Sequence, residues 1–160
     1  MGIEIERKFL VLNDSWRENV SDCTEYVQAY LSKEPERTVR VRIAGEKAFL
    51  TIKGTSPAEK PLETPEFEYE IPKADAEKLL PLCLPGAISK TRHKVKHGGF
   101  TWEIDVFEGE NKGLTMAEIE LPASDTPFER PAWLGAEVTD DKRYKNALLS
   151  SNPYTRWPKP

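Results

Sequence analysis

The sequence predicts an α+β, mainly β protein whose antiparallel sheet either closes into a barrel or divides into two packed sheets. About eight segments alternate apolar and polar residues with the two-residue period of a strand. Only four segments carry helical periodicity or capping signals. No internal repeat or domain boundary interrupts the 160 residues, so the strands are expected to follow one another as a meander within one domain.

The predicted strands end at prolines or at turn residues. Gly45 and Glu46 form a tight hairpin between two strands, Pro72 ends another, and Gly98 and Gly99 turn the chain between two more. In chain order, the predicted strands cover residues 3–11, 25–31, 37–43, 47–53, 66–71, 88–96, 101–107 and 115–121.

Helical signals are short and scattered. Asp14 or Ser15 caps a predicted turn over residues 16–20, and an apolar stripe predicts a helix over 73–83. A proline-interrupted short helix is expected over 126–134, and a better one over about 141–150, opened by Thr139 or Asp140. Residues 54–65 have no period and predict an exposed, mobile loop, and the proline-rich tail, 152–160, is expected to fray.

Composition excludes several classes of function. The chain has 23 basic and 27 acidic residues, so no basic excess favours nucleic acid. No apolar run approaches the roughly 20 residues of a membrane span, and the acidic N-terminus does not resemble a signal peptide. Cys23 and Cys83 are isolated and lack metal-site spacing. These features predict a cytoplasmic protein with no membrane partner, and whether it forms a homodimer is left open.

In nearly every predicted strand, the charged residues occupy alternate positions and the apolar residues occupy the positions between them. Each set therefore shares one parity of residue number and lies on one face of the strand. In the first strand Glu4, Glu6 and Lys8 oppose Ile3 and Ile5. If the apolar parity faced inward, the charges would be a solvated exterior without functional meaning. If helices and loops instead cover an apolar exterior, the charges line a wet central chamber suited to a highly charged ligand.

The second arrangement would bring carboxylates together with basic side chains. Arginine and lysine suit phosphate oxygens, and carboxylates suit Mg²⁺ or Mn²⁺, so the mixture indicates a metal-bound polyphosphate. The acids of this parity are Glu4, Glu6, Glu68, Glu70, Glu103, Asp105, Glu118 and Glu120. The bases are Lys8, Arg40, Arg42, Lys53, Lys90 and Arg92.

Nine ordered motifs cover nearly the whole chain. They are EIERK at 4–8, QAYL at 28–31, RVR at 40–42, TIKG at 51–54, EYE at 68–70, KTR at 90–92, EIDVF at 103–107, AEIE at 117–120 and VTDDKRY at 138–144. Together they resemble the CYTH superfamily, also called triphosphate tunnel metalloenzymes. The resemblance implies an eight-stranded antiparallel closed barrel, a triphosphate tunnel with a few flanking helices, spanning residues 1–151.

The resemblance also implies roles for individual residues. Lys90 is expected to help activate the attacking water, and Tyr30 to lie in the tunnel near the substrate. Metal activation of the nucleophile ranks slightly above the lysine. The implied metal ligands are Glu4, Glu6, Glu118 and Glu120, with Asp105 or Glu103 assisting. The implied phosphate ligands are Lys8, Arg40, Arg42, Lys53 and Arg92, supported by the tunnel carboxylates Glu68, Glu70 and Glu103.

The sequences at 4–11 and 141–144 resemble those of small bacterial tripolyphosphatases within this family. We therefore expect hydrolysis of inorganic tripolyphosphate to pyrophosphate and phosphate with Mg²⁺ or Mn²⁺ as cofactor. The alternatives are a nucleoside or thiamine triphosphatase, a class IV adenylyl cyclase, and a polyphosphate-binding module without turnover. Family cyclases usually carry a His-Phe segment before the first motif, and only residues 1–3 precede Glu4 here, which disfavours the cyclase.

Overall fold

The computed structural model describes residues 2–158, and within them a single antiparallel sheet closes on itself as a barrel. Eight strands form the barrel and a ninth extends it. The strands β1 to β9 are Gly2–Val11, Val20–Ser32, Thr38–Ala44, Lys47–Lys53, Glu63–Ile71, Ile88–His97, Phe100–Phe107, Thr115–Glu120 and Leu134–Glu137.

The order of the strands around the barrel is β1-β5-β4-β3-β2-β6-β7-β8, returning to β1. Residues 2–5 of β1 pair with β5, and residues 6–10 pair with β8 on the other edge of the same strand. The expected meander therefore holds only within β2–β5 and β6–β8, because β6 pairs with β2 and not with β5. Full closure leaves the eight barrel strands without an unpaired edge.

The apolar parity faces outward, where surrounding segments cover it in two clusters. Phe9, Trp16 and Trp102 are fully buried in the largest cluster, under the turn at 14–19 and the segment before β9. The second outer cluster lies under helix α1, Lys73–Leu79. A separate cluster around Phe107, Met116 and Leu149 lies on the inward parity, because Phe107 pairs with Lys90 and Met116 pairs with Asp105, and the C-terminal segment packs on it. The hydrophobic core thus surrounds the barrel and also fills part of its interior, and charged side chains line the rest of that interior.

Six of the eight predicted strands are correct to within one residue at each end, and one of them, β4, has the predicted bounds, 47–53. β2 begins five residues earlier than predicted, at Val20, and β5 begins at Glu63, which shortens the expected loop. The capping residue of the first turn is Asn13, whose Oδ1 accepts from the Ser15 N–H at 3.0 Å, and not Asp14 or Ser15.

The helix predicted over 126–134 is wrong. This segment is irregular, because Pro127 and Pro131 remove backbone donors, and it leads into strand β9, which the sequence did not indicate. The helix predicted over 141–150 is a 3₁₀ turn, Lys142–Tyr144, followed by a short helix α2, Asn146–Leu149. The helix predicted over 73–83 ends as α1 at Leu79 and continues as the 3₁₀ turn Leu80–Leu82.

The C-terminal tail packs against the barrel as far as the structure describes it. Tyr154 donates its backbone N–H to Asn111 Oδ1 at 2.8 Å, and the Trp157 ring lies edge-on to Tyr144. The expected fraying is therefore wrong for residues 152–158, while residues 159 and 160 lie outside the described part. Within the described range, no helix is both long and apolar enough to cross a membrane.

Candidate functional site

A chamber of about 220 Å³ lies inside the barrel, and its wall is almost entirely charged. The strands bring these residues together because each presents one parity inward. Among the described residues, the acids lining the chamber are Glu4, Glu6, Glu66, Glu68, Glu103, Glu118 and Glu120. The lining bases are Lys8, Arg40, Arg42, Lys53 and Arg92, and Tyr26, Phe49 and Asn146 complete the wall.

Three arginines crowd one side of the chamber. Arg40, Arg42 and Arg92 are each at most 8% exposed. Burial, and then the neighbouring guanidiniums of Arg40 and Arg92, lower the pKa of Arg42 to about 10. Arg40 Nε is buried and meets no acceptor within residues 2–158. An anionic ligand would offset this positive charge.

Behind the arginines, Lys90 and Asp105 form a fully buried ion pair, with Lys90 Nζ 2.7 Å from Asp105 Oδ2. Burial, Arg92 and Arg42 lower the pKa of Lys90 to about 7, although Asp105 opposes the shift. Burial would raise the pKa of Asp105, but Arg92 and Lys90 outweigh it and hold that pKa far below its usual range. Burial is the larger cause for Lys90, whereas the two neighbouring cations decide the direction for Asp105.

The opposite side of the chamber is acidic. β1 pairs with β8 so that Glu6 lies opposite Glu120 and Lys8 lies opposite Glu118. Lys8 Nζ is 3.8 Å from both Glu6 and Glu118. Burial, and then Glu118 and Glu4, raise the pKa of Glu6 well above its usual value. For Glu118, burial is outweighed by Lys8 and Arg92, which lower its pKa to about 2.

These carboxylates fit a divalent metal ion. Burial raises the pKa values of Glu4, Glu6 and Glu120, and each is raised further by at least one neighbouring glutamate. A bound cation would relieve this repulsion, and carboxylate oxygens are the ligands that Mg²⁺ and Mn²⁺ prefer. In the conformation observed for residues 2–158, no three acidic, histidine or cysteine side chains already form a metal-binding cluster.

Most of the sequence-predicted site residues line the chamber, but four do not. Lys90 and Asp105 lie behind the wall, each at most 1% exposed. Glu70 is exposed outside the lining, opposite Phe49. Tyr30 is buried opposite Arg40 and shares the inward parity of Tyr26, but it is not among the lining residues. The roles assigned to all of these residues stay predictions.

Sequence reasoning did not select four lining residues. Tyr26, Phe49 and Glu66 share the inward parity of Gln28, Lys53 and Glu68, so strand alternation contained the signal for them. Asn146 belongs to no strand, and no periodicity pointed to it.

The Tyr26 ring lies among cations. Its centroid is 4.8 Å from Arg42 Cζ, 4.9 Å from Arg92 Cζ and 5.8 Å from Lys90 Nζ. Aromatic rings attract cations through their quadrupole. Tyr26 therefore helps to hold basic side chains close together.

Comparison with known proteins agrees with this geometry. Residues 2–149 match the model of the CYTH domain family. The chain is 46% identical over 155 residues to an inorganic triphosphatase of Acetivibrio thermocellus, covering 96% of this chain and 97% of the relative. It is 35% identical over 151 residues to an inorganic triphosphatase of Nitrosomonas europaea, covering 92% and 96%.

Solved structures show the same architecture. A crystal structure of an inorganic triphosphatase superposes with a TM-score of 0.65 at 34% identity, covering 92% of this chain and 93% of that one. A structure from Pyrococcus horikoshii shares the fold at a TM-score of 0.59 and 24% identity, covering 76% and 80%. The fold is a closed barrel with a charged interior, and the family model matches residues 2–149. This chain therefore belongs to the CYTH domain family.

Proposed function

We propose that this protein hydrolyses inorganic tripolyphosphate to pyrophosphate and phosphate inside the barrel. The observation that carries the proposal is the chamber wall, in which three buried arginines face a cluster of glutamates, with Glu118 buried and Glu4 and Glu6 half-buried. A polyphosphate needs cations along its oxygens, and a phosphate-bound metal needs carboxylates beside it. The two curated relatives named inorganic triphosphatases support the same activity.

The basic residues would bind the phosphate oxygens. Arg40, Arg42 and Arg92 can make bidentate contacts, while Lys8 and Lys53 act as point charges near the acidic side. Neighbouring carboxylates hold these bases in place: Lys53 Nζ is 3.0 Å from Glu4 Oε1. Phosphoryl transfer depends mainly on such positioning and charge neutralisation.

Glu4, Glu6, Glu118 and Glu120 would hold the metal, with Glu103 or Asp105 assisting. We assign Mg²⁺ or Mn²⁺ because all of these ligands are carboxylates. The bound cation would neutralise charge on the phosphate oxygens. Of the two assisting residues, Glu103 lines the chamber, whereas both oxygens of Asp105 already accept hydrogen bonds from Arg92 and Lys90.

Lys90 remains our candidate for helping to activate the attacking water, and activation by the metal ranks slightly above it. Its Nζ contacts Asp105 Oδ2 at 2.7 Å and Asn146 Oδ1 at 3.2 Å, within the wall beside Arg92. Asn146 lines the chamber, so Lys90 lies one side chain behind the surface that a substrate would contact. Tyr30 is proposed to contribute from the same inner face, opposite Arg40.

The environment of Tyr26 favours an inorganic substrate over a nucleotide or thiamine triphosphate. Its ring is already associated with Arg42 and Arg92, so it positions cations and is not free to stack on a base. The lining residues are otherwise charged apart from Phe49 and Asn146. This chamber offers many partners for phosphate and few for an organic group.

The test compares phosphate release from tripolyphosphate, ATP and thiamine triphosphate, each with Mg²⁺, with Mn²⁺ and with excess chelator. We expect metal-dependent release that is fastest from tripolyphosphate. A preference for either organic triphosphate would replace the inorganic assignment. Absence of release from all three would favour the binding module, after a separate assay for cyclic AMP formation from ATP.

We also infer a cytoplasmic location from the sequence. The N-terminal strand β1 pairs on both edges within the barrel and carries site residues, so it is part of the fold. Cys23 and Cys83 are free thiols in the described part of the chain, in keeping with a reducing compartment. Fractionation of the producing cells would test this, and recovery outside the cytoplasm would contradict it.

A further inference from the structure

Asn146 enters the chamber from the C-terminal segment, whereas the charged lining residues come from barrel strands. It is the first residue of α2, and it follows the 3₁₀ turn at 142–144 that bends the chain toward the barrel. Its side chain is 9% exposed and lines the chamber. A buried amide at this position needs hydrogen-bond partners, and their identity determines which way the amide points.

A chain of hydrogen bonds determines the orientation of this amide. Arg42 Nε donates to Gln28 Oε1 at 2.7 Å, and Gln28 Nε2 donates to Asn146 Oδ1 at 3.0 Å. A guanidinium can only donate, so Gln28 must present its oxygen to Arg42 and its nitrogen to Asn146. Asn146 Oδ1 also accepts from Lys90 Nζ at 3.2 Å. The oxygen therefore points into the wall.

The other end of the amide is left without a protein partner. Among residues 2–158, Asn146 Nδ2 makes no hydrogen bond, and it is not one of the buried unpaired atoms, so it retains access to the chamber. The amide nitrogen carries two N–H donors and accepts nothing. The proposed substrate would supply an acceptor for these donors, because its phosphate oxygens would lie among the basic residues of the same chamber.

We propose that Asn146 Nδ2 donates a hydrogen bond to a phosphate oxygen of the substrate, held in that orientation by Gln28 and Lys90. The inference rests on the proposed function and assigns a further substrate-binding residue to the same site. An amide adds a donor without adding charge. That is an advantage beside Arg42, whose pKa is already lowered by burial and by the neighbouring guanidiniums.

The decisive variant is Asn146→Asp, which has the same shape. It keeps an oxygen to accept from Gln28 and Lys90, but it replaces the donor that faces the chamber by a second oxygen. The matched control is Asn111→Asp. Asn111 is also buried, at 3% exposed, and its Oδ1 accepts from the Tyr154 N–H outside the chamber.

The experiment measures kcat and KM for tripolyphosphate with Mg²⁺, together with the thermal unfolding midpoint of each metal-free protein. For Asn146→Asp we expect KM to rise at least about tenfold, because the substitution removes one charge-assisted hydrogen bond to the substrate. Its unfolding midpoint should stay within ~4 °C of the unsubstituted protein. Asn111→Asp should leave KM unchanged.

Asn146→Ala provides a second variant if the aspartate protein does not fold. It removes both ends of the amide, so we expect a raised KM together with a lowered unfolding midpoint. A KM for either folded variant within about twofold of the unsubstituted protein would overturn the proposal. If the unsubstituted protein does not hydrolyse tripolyphosphate, the proposed function itself fails, and this inference fails with it.

Discussion

Arg92 and Asp105 form a two-bonded ion pair within the wall of the chamber. Arg92 Nε lies 2.8 Å from Asp105 Oδ1, and Arg92 Nη2 lies 2.9 Å from Asp105 Oδ2. The two residues face each other on β6 and β7. The pair holds the guanidinium so that its remaining N–H groups can reach Glu103, Glu118 and a substrate.

Replacing Asp105 with Asn should strongly destabilise the protein. The substitution leaves Lys90 and Arg92 buried without their shared carboxylate, and breaking a buried pair in this way costs about 3–5 kcal/mol. Denaturant unfolding of the metal-free protein measures this free energy. Glu103→Gln is the control, because Glu103 is 29% exposed at its side chain, and it should cost less than half as much. Equal losses for the two variants would contradict the account.

Replacing Glu6 with Gln should stabilise the metal-free protein at pH 7. Burial, Glu118 and Glu4 raise the pKa of Glu6 in the folded state, so the folded protein binds a proton more readily than the unfolded chain. Stability therefore falls as pH rises from the ordinary carboxyl pKa through this raised pKa. Gln removes the charge and with it this fall, so we expect a higher unfolding midpoint in chelator.

Glu137→Gln is the matched control with the opposite sign. A hydrogen bond from Arg7 lowers the pKa of Glu137, whose stabilising effect is present above the ordinary carboxyl pKa and is lost as pH falls through the lowered one. This variant should have a lower unfolding midpoint at pH 7. A Glu6→Gln protein less stable than the unsubstituted protein in chelator would contradict the predicted repulsion among the chamber acids.

Replacing Trp102 with Ala should cost about 3–5 kcal/mol of unfolding free energy, because its fully buried ring is part of the largest outer cluster. Phe67→Ala is the control. Phe67 also points outward from the barrel but is 44% exposed, so its loss should cost under about 1 kcal/mol. Similar costs at the two positions would contradict a core that lies outside the barrel.

Strand parity made the chamber predictable. Glu4, Glu6 and Lys8 alternate with apolar residues, and the same alternation in later strands separates the chamber from the outer core. Parity alone does not say which side faces inward. The long-range pairing of β1 with β5 closes the barrel, and no local pattern in the sequence encodes it.

The C-terminal third was harder to predict because its structure depends on contacts with the barrel. β9 has only four residues, includes Gly135, and exists because it pairs with the end of β1. The segment before it contains two prolines, and the tertiary setting outweighs its weak helical signal. Asn146 is buried by the same docking, so its place in the chamber became visible only in the folded structure.

The most direct test of the central claim measures phosphate release from tripolyphosphate with Mg²⁺ for the unsubstituted protein and for Glu118→Gln. Glu118 lines the chamber, 3.8 Å from Lys8 Nζ and 3.6 Å from Arg92 Nη2. Glu63→Gln is the control, since Glu63 lies on the neighbouring part of β5 outside the lining. We expect Glu118→Gln to lose about 10²-fold or more in kcat while remaining folded, and Glu63→Gln to keep its activity. A folded Glu118→Gln protein with unchanged turnover would show that cleavage does not take place in this chamber.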